Sequence, residues 1–281
     1  MRTLADKVVV VTGAGSGIGR ALAVNLARRG SLLALSDVNA AGLAETVALA
    51  GRAGAADVRS DHLDVADRDA MARYALDVVQ HLGRVNVVVN NAGVSLTGDF
   101  TDLEYADIDW IVGVNFWGVV HGTKEFLPHL IASGDGHVVN LSSLFGLISI
   151  PGQSLYNATK YAVRGMSEAL REEMLVAGHP VGVTSVHPGG IKTDIVRNSR
   201  VSAKEDKDAT SELFDTRLAR MTPERAAEII VSGILKDKAR VLVGLDAHAM
   251  HHLAKLLGSR YQDVVAKAST KVVPPKVTLH E

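Results

Sequence analysis

There is no cysteine anywhere in the 281 residues. That absence excludes disulfides, thiolate metal centres and a cysteine nucleophile, and with them a secreted domain that depends on disulfides. An excess of charge of either sign is also missing: 30 basic residues stand against 31 acidic ones, a formal net charge of −1. A basic nucleic-acid binder or a polybasic membrane protein has a different balance. No apolar run reaches the roughly 18 residues of a membrane span. The four valines at 8–11 are too few for a signal-peptide core. The reading is a soluble, cytoplasmic protein with no nucleic-acid or membrane partner.

What is present is ordinary for a globular chain, at 47% apolar and 22% charged. Length alone gives a prior near two domains, but one large α/β sheet can occupy all of it. Short β-branched or apolar runs recur at 8–11, 32–35, 85–89, 137–141, 181–186 and 241–243, with a weaker one at 57–63. They are continuous rather than alternating, as expected of parallel strands covered on both faces. Helical periods fill the gaps at 18–29, 66–81 and 155–177. Strand and helix in alternation predict a doubly wound, mostly seven-stranded parallel α/β sheet with helices on both faces, as a single domain over residues 1–270. Residues 194–221 carry twelve charges in twenty-eight positions, too long for a plain connection, and read as a substrate lid or a disordered stretch. Thr222-Pro223-Glu224 reads as a helix start. Residues 271–281, with two prolines, read as a tail.

Glycine is in mild excess, 26 residues, and its spacing is informative. Thr12-Gly13-Ala14-Gly15-Ser16-Gly17-Ile18-Gly19 stands where a strand turns into a helix. As G-x-G-x-x-G it fails, because Ile18 or Arg20 falls on the third glycine; as T-G-x-x-x-G-x-G it fits. Such glycines let a backbone approach a pyrophosphate, and the next helix offers free N–H groups and a positive dipole end. A glycine-rich turn without a ligand is the bland alternative. Asp37, at the end of the second strand and twenty residues after Gly17, can accept hydrogen bonds from an adenosine ribose. A 2′-phosphate there would face its carboxylate, with no compensating cation from Ser16 or Val38. NAD is therefore expected over NADP, with Arg20 placed on the helix surface. Asp64, beside Val65, can meet an adenine amino group or cap the helix that follows.

Tyr156 and Lys160, at i and i+4, share a helix face. A tyrosine of pKa ~10 needs a nearby cation to work as a base at pH 7. Ser143, thirteen residues before Tyr156, follows a strand and can offer a hydroxyl to a substrate oxygen. Ser142 is the neighbour to be distinguished from it. His248, His251 and His252 with Asp246 read as the polar face of a terminal helix rather than a metal site, so no metal is expected. His187, beside Pro188, reads as a packed or hydrogen-bonded residue.

In order along the chain, residues 12–19, Asp64, Asn90-Asn91-Ala92-Gly93, Asn115, Ser143, Tyr156-Asn157-Ala158-Thr159-Lys160 and 188–193 together resemble the short-chain dehydrogenase/reductase family. The resemblance implies a Rossmann-type fold and an oxidoreductase. Tyr156 would be the general acid/base, Lys160 would hold the nicotinamide ribose and depress the Tyr156 pKa, Ser143 would orient the substrate oxygen, and Asn115 would hold a water joining Lys160 to solvent. Gly13, Ser16, Gly17, Ile18, Gly19, Asp37, Asp64, Val65, Asn91, Ala92, Gly93, Tyr156, Lys160, Pro188, Gly189, Ile191 and Thr193 would contact the cofactor. The expected reaction is hydride transfer between NAD(H) and an apolar secondary alcohol or its ketone. The alternatives are an NADPH-preferring carbonyl reductase and a nucleotide-binding scaffold without turnover. Val94, Leu96, Leu144, Phe145, Leu147, Ile195 and Phe214 would line the substrate pocket. Helices 115–130 and 156–177 resemble the family's dimer helices, with Phe116, Trp117 and Phe126 on their apolar faces, so a homodimer or homotetramer is expected.

Overall fold

A computed structural model describes residue 1 and residues 3–270. The tail expected at 271–281 lies outside the described residues. The first valines form β1 (Val8–Thr12), buried along its whole length, and α1 (Gly17–Ala27) follows the glycine loop. Then come β2 (Leu32–Asp37), α2 (Ala40–Arg52), β3 (Val58–His62), α3 (Arg68–Leu82) and β4 (Val87–Asn90). A short β5 (Leu96–Thr97) and α4 (Tyr105–Val112) lead through a π-turn at Gly113–Trp117 into α5 (Gly118–Ala132). β6 (Gly136–Leu141), α6 (Ser154–Val176), β7 (Val181–Pro188), β8 (Arg200–Val201), α7 (Lys207–Leu213), α8 (Pro223–Leu235), β9 (Arg240–Val243), α9 (Leu245–Leu257) and α10 (Tyr261–Ser269) complete the chain.

Seven strands form one sheet in the order β3-β2-β1-β4-β6-β7-β9, all in parallel register. The single-domain, doubly wound sheet expected from the apolar runs is therefore present. The valines of β1 divide by alternation. Val9 and Val11 face one core with Leu22 and Leu26 of α1, Leu43 of α2 and Ile230 of α8. Val8 and Val10 face the other with Met71 of α3, Phe126 of α5 and Leu170 of α6. Burying each such aliphatic side chain contributes about 1.5–3 kcal/mol, so neither face of the sheet tolerates a polar residue here. The chain reverses its direction of travel across the sheet between β1 and β4. The carboxyl ends of those strands open a crevice, the place where sheets of this kind bind ligands.

The segment 194–221 is folded rather than structureless. β8 pairs in parallel with β5 (Leu96 opposite Arg200, Thr97 opposite Val201). Its charges find partners: Arg197 with Asp215 at 2.7 Å, Arg200 with Asp107 at 2.9 Å, and Lys204 with Asp102 at 2.6 Å. The guanidinium of Arg200 also lies 4.1 Å from the centre of the Trp110 ring. The Thr222 hydroxyl caps α8 at the Arg225 N–H, with Pro223 in the first turn, as the local sequence predicts. Phe126, expected on an interface face, is instead a core residue, edge-on to Tyr74 at 5.9 Å.

Two histidines lie inside the sheet. His137 of β6 meets the Thr184 hydroxyl at 2.8 Å, and His187 of β7 lies between the Ser185 hydroxyl and the Ser143 carbonyl, each at 2.9 Å. Burial holds both pKa values down, from the ordinary 6.5 to about 4. The unfolded chain therefore binds more protons than the folded one between pH 6.5 and 4, and stability must fall as pH drops through that window. The expected loss approaches about 3 kcal/mol per histidine by pH 4. Thermal unfolding followed from pH 7 to 4 should show a steadily falling midpoint, shallower in His137→Asn. A midpoint that is flat across this range would contradict the burial argument.

Candidate active site

The glycine loop opens the site. Gly13 has a positive φ of 64°, and a Cβ on Gly19 would run into the Gly13 carbonyl oxygen. Neither position accepts a side chain without moving the loop. Ser16 precedes α1 without a side-chain cap bond, so Ser16, Gly17 and Ile18 present the helix's positive end with no carboxylate or hydroxyl already seated on it. Asn91 holds the loop from beneath, its side-chain amide donating to the Thr12 and Gly13 carbonyls at 2.9 and 3.0 Å. The Thr12 hydroxyl accepts the N–H groups of Asn91 and Ala92, both at 3.1 Å. Thr12, the first residue of the T-G-x-x-x-G-x-G pattern, thus ties the loop to the turn after β4.

Asp37 stands at the tip of β2 with both oxygens engaged: Gly15 N–H donates to one at 2.7 Å and Asn39 N–H to the other at 2.8 Å. The carboxylate is therefore fixed in orientation at the crevice. Arg20 does not simply lie on the surface as expected. Its guanidinium donates to the Gly15 carbonyl at 2.6 Å and the Thr46 hydroxyl at 3.0 Å, and pairs with Glu45 at 2.8 Å, joining the loop to α2. Asp64 does not cap α3 directly. It accepts the Ala66 N–H at 2.9 Å, while Asp67 caps the helix at Ala70 N–H. Val65 is buried, and its carbonyl lies 3.0 Å from His121 Nδ1.

At the centre of the sheet, β6 delivers Ser143 and α6 delivers Tyr156 and Lys160. Tyr156 is buried and hydrogen-bonded to the Ser143 side chain. The two serines separate: Ser142 Oγ turns away and donates to the Lys160 carbonyl at 2.7 Å. Lys160 Nζ donates to the Leu141 carbonyl at 3.1 Å and lies 5.6 Å from the centre of the Tyr156 ring. A Cβ on Gly93 would come within 3.3 Å of both that ammonium and Asn115 Oδ1, which places the three residues together. The Asn115 side chain is occupied by Val94, donating to its carbonyl and accepting its N–H, both at 2.8 Å. Asn115 itself sits in the π-turn of residues 113–117, whose wider ring withdraws a main-chain carbonyl from the helical ladder.

One electrostatic expectation is reversed. Burial raises the Tyr156 pKa above its usual 10, and the Ser143 hydrogen bond only partly opposes this. The Lys160 ammonium donates to the Leu141 carbonyl, and burial lowers the lysine itself to about 8. At pH 7 the pair is thus phenol and ammonium.

On the far side of the crevice, Ile191 is buried and bridges Met221, and the Thr193 methyl lies over Gly17, within 3.0 Å of where a Cβ would stand. Gly190 N–H donates to Asp246 of α9 at 2.7 Å, and Gly189 N–H to the Val243 carbonyl at 2.9 Å, so the turn after Pro188 is anchored from the last strand and helix. In the sequence Asp246 stands out only as a neighbour of His248, His251 and His252. Among the described residues no group of three His, Cys, Asp or Glu side chains could hold a metal, and no helix is long and apolar enough to cross a membrane. Apolar walls surround Tyr156: Leu96, Ile111, Val94, Trp110 and Leu155, with Phe145 edge-on to its ring at 6.1 Å. Leu144 belongs instead to a separate core beneath α9, with Ile148 and Ala247. Ile195 and Phe214 are half-buried and stand outside the cluster around Tyr156. A cleft of about 620 Å³ runs along α1 past Arg28 and Lys192; it touches the site at Gly17 and Thr193, away from Ser143 and Tyr156.

The model of the short chain dehydrogenase family matches residues 7–204. The chain belongs to this family. Among family members it is 58% identical to SadH of Mycobacterium tuberculosis over 98% of this chain and 99% of that protein. It is 35% identical to epidermal retinol dehydrogenase 2 of Mus musculus, over 84% of this chain and 74% of the mouse protein. A solved short chain dehydrogenase/reductase of Burkholderia phymatum, in complex with NAD, superposes with a TM-score of 0.86 at 28% identity, covering all of both chains. The family match ends at residue 204, so α7–α10 lie beyond it.

Proposed function

We propose that this family member transfers a hydride between NAD(H) and an apolar secondary alcohol or its ketone, with Tyr156 as general acid/base. The observation that carries the reading is the buried hydrogen bond between Tyr156 and Ser143 with Lys160 beside it, inside apolar walls. A dinucleotide fits the residues present: the crevice has a loop that excludes side chains at Gly13 and Gly19, an uncapped helix start at Ser16, and an oriented carboxylate at Asp37. Bound NAD would supply the hydride acceptor, the step that amino-acid side chains do not perform.

The chain's own residues would do the rest. Ser16, Gly17 and Ile18 would receive the pyrophosphate, Asp37 the adenosine ribose, and Asp64 and Val65 the adenine edge. Asn91, Ala92 and Gly93 would back the ribose, Lys160 would hold the nicotinamide ribose, and Pro188, Gly189, Ile191 and Thr193 would set the nicotinamide face. Ser143 would orient the substrate oxygen. In reduction Tyr156 gives its phenolic proton to that oxygen, the form its raised pKa favours at pH 7. In oxidation it takes the alcohol proton, which requires phenolate, so the alcohol direction should gain with rising pH. Asn115 would contribute through a main-chain carbonyl of the π-turn, its side chain being committed to Val94. NAD is favoured over NADP because Arg20, the cation beside the glycine loop, is already engaged with Gly15, Thr46 and Glu45.

The segment 194–221 would cover the substrate, hinged on the β5–β8 pair. Likeness to a retinol dehydrogenase and the apolar cluster around Tyr156 support an apolar alcohol. The helical stretches 115–130 and 156–177, with half-exposed Trp117 at the end of the π-turn before α5, are where the family resemblance puts a second copy, in a homodimer or homotetramer.

The test is a panel of apolar alcohols and ketones with NAD(H) and NADP(H), read by nicotinamide absorbance. Turnover should be greatest with NAD(H) and apolar substrates. Turnover with NADPH alone would favour a carbonyl reductase, and cofactor binding without turnover a scaffold.

A further inference from the structure

The last two helices, beyond the family match, hold both loops that frame the crevice. From the first turn of α9, Asp246 accepts the Gly190 N–H at 2.7 Å, and its carboxylate fills the space a Cβ on Gly189 would need. From the first turn of α10, the Tyr261 hydroxyl accepts the Ser149 N–H at 3.0 Å. That hydroxyl is also bonded to Tyr161, the residue after Lys160 on α6. Tyr261, Met250 and Ala254 pack on the core of Leu144, Ile148 and Ala247. Phe145 takes part in this core with one side and meets Tyr156 edge-on with the other.

We propose that α9–α10 is a two-point clamp: Tyr261 is a positioning residue that sets the substrate wall through the 144–150 loop, and Asp246 is a positioning residue that sets the cofactor turn through Gly190. The inference rests on the proposed function for what each loop touches. The physical reason is that each loop takes part of its support from these two helices. Residues 144–150 contain a single short 3₁₀ turn, tied to α6 by the Asn157 amide at the Ile150 carbonyl, and the 188–190 turn leaves the carboxyl end of β7 with Gly189 and Gly190, which have no side chain to pack. A backbone N–H at each loop is therefore fixed from outside, by a neutral hydroxyl in one case and a carboxylate in the other. The two points have separable consequences, because one lies on the Phe145 wall and the other on the approach to Ile191 and Thr193.

Tyr261→Phe and Asp246→Ala test this in the full-length protein. Tyr261→Phe removes the neutral hydrogen bonds of that hydroxyl to Ser149 and Tyr161 and should raise KM for the best alcohol about fivefold, with a smaller change in kcat and an unchanged Kd for NAD. Asp246→Ala removes a charge-assisted bond and should raise the Kd for NAD about tenfold or more, with little effect on alcohol KM at saturating NAD. Hydrogen exchange should quicken at the Ser149 amide only in the first variant and at the Gly190 amide only in the second. Equal effects of both variants on KM and Kd, or a loss of thermal stability with neither constant moved, would overturn the clamp. If the wild-type protein turns over no alcohol or ketone, the proposed function fails, while the two amides still report the clamp: crossed or absent exchange changes would overturn it independently.

Discussion

Tyr156→Phe should lower turnover of alcohol by roughly 10²–10⁴-fold, the usual contribution of a positioned acid/base, and leave the Kd for NAD within a factor of two. The ring is what packs: Phe145 meets it edge-on at 6.1 Å, and Leu96 and Ile111 complete the cluster. Phenylalanine keeps all of those contacts, so the variant should unfold within a few degrees of the parent. What disappears is the hydroxyl that bonds Ser143 and would exchange a proton with the substrate oxygen. Ser143→Ala should be severe as well, and the double variant little worse than Tyr156→Phe, because residues that act as one unit are strongly non-additive. Stopped-flow absorbance at saturating NAD measures the hydride step directly. Turnover within tenfold of the parent in Tyr156→Phe would remove Tyr156 from the role proposed for it.

The parts of this site that could be read from the chain are those that local spacing determines. Val8–Val11 announces a central strand because both faces of that strand are buried, so no alternation interrupts it. Val58–His62 is weaker for the opposite reason: an edge strand is only partly covered, and polar residues occupy its open side. The glycine loop and the Tyr156–Lys160 pair are legible because a tight turn and a helix face are properties of a few consecutive residues.

What was not legible depends on partners far away in sequence. Asp246 reaches Gly190 across 56 residues and Tyr261 reaches Ser149 across 112. Neither carries a local mark of these contacts; near Asp246 in the sequence stand His248, His251 and His252. The length and charge of 194–221 marked it as unusual but could not show that Arg200 and Lys204 would find Asp107 and Asp102. The direction of the Tyr156 pKa is not legible in the sequence for a related reason. Spacing shows that a cation is on the same helix face, but burial of the phenol and the pull of the Leu141 carbonyl on Lys160 belong to the folded surroundings.

Asp37→Ser should reverse the cofactor preference. The carboxylate accepts Gly15 and Asn39 N–H groups at 2.7 and 2.8 Å and would present its remaining lone pairs to the ribose hydroxyls. Removing it costs a charge-assisted hydrogen bond to the ribose, on the order of 1.5–3 kcal/mol or roughly 10–100-fold in NAD affinity. For NADP the sign is opposite. A 2′-phosphate within about 5 Å of a fixed carboxylate meets a repulsion of ~3 kcal/mol at an effective dielectric of 20, and the substitution relieves it. The NAD-to-NADP affinity ratio should therefore fall by roughly 10³–10⁴-fold overall, since each 1.4 kcal/mol is tenfold. Absolute NADP affinity should stay modest in this single variant, because Arg20 remains tied to the Gly15 carbonyl and Glu45 and cannot turn to a phosphate without releasing the loop. Adding Val38→Arg at an exposed position supplies a free guanidinium and should tighten NADP a further tenfold, an effect that weakens with salt as a partly exposed ion pair must. Calorimetric titration of both cofactors into the parent and the two variants decides the matter. NADP binding more tightly than NAD in the parent, or a ratio unmoved by Asp37→Ser, would mean that Asp37 orients the glycine loop through Gly15 and has no part in choosing the cofactor.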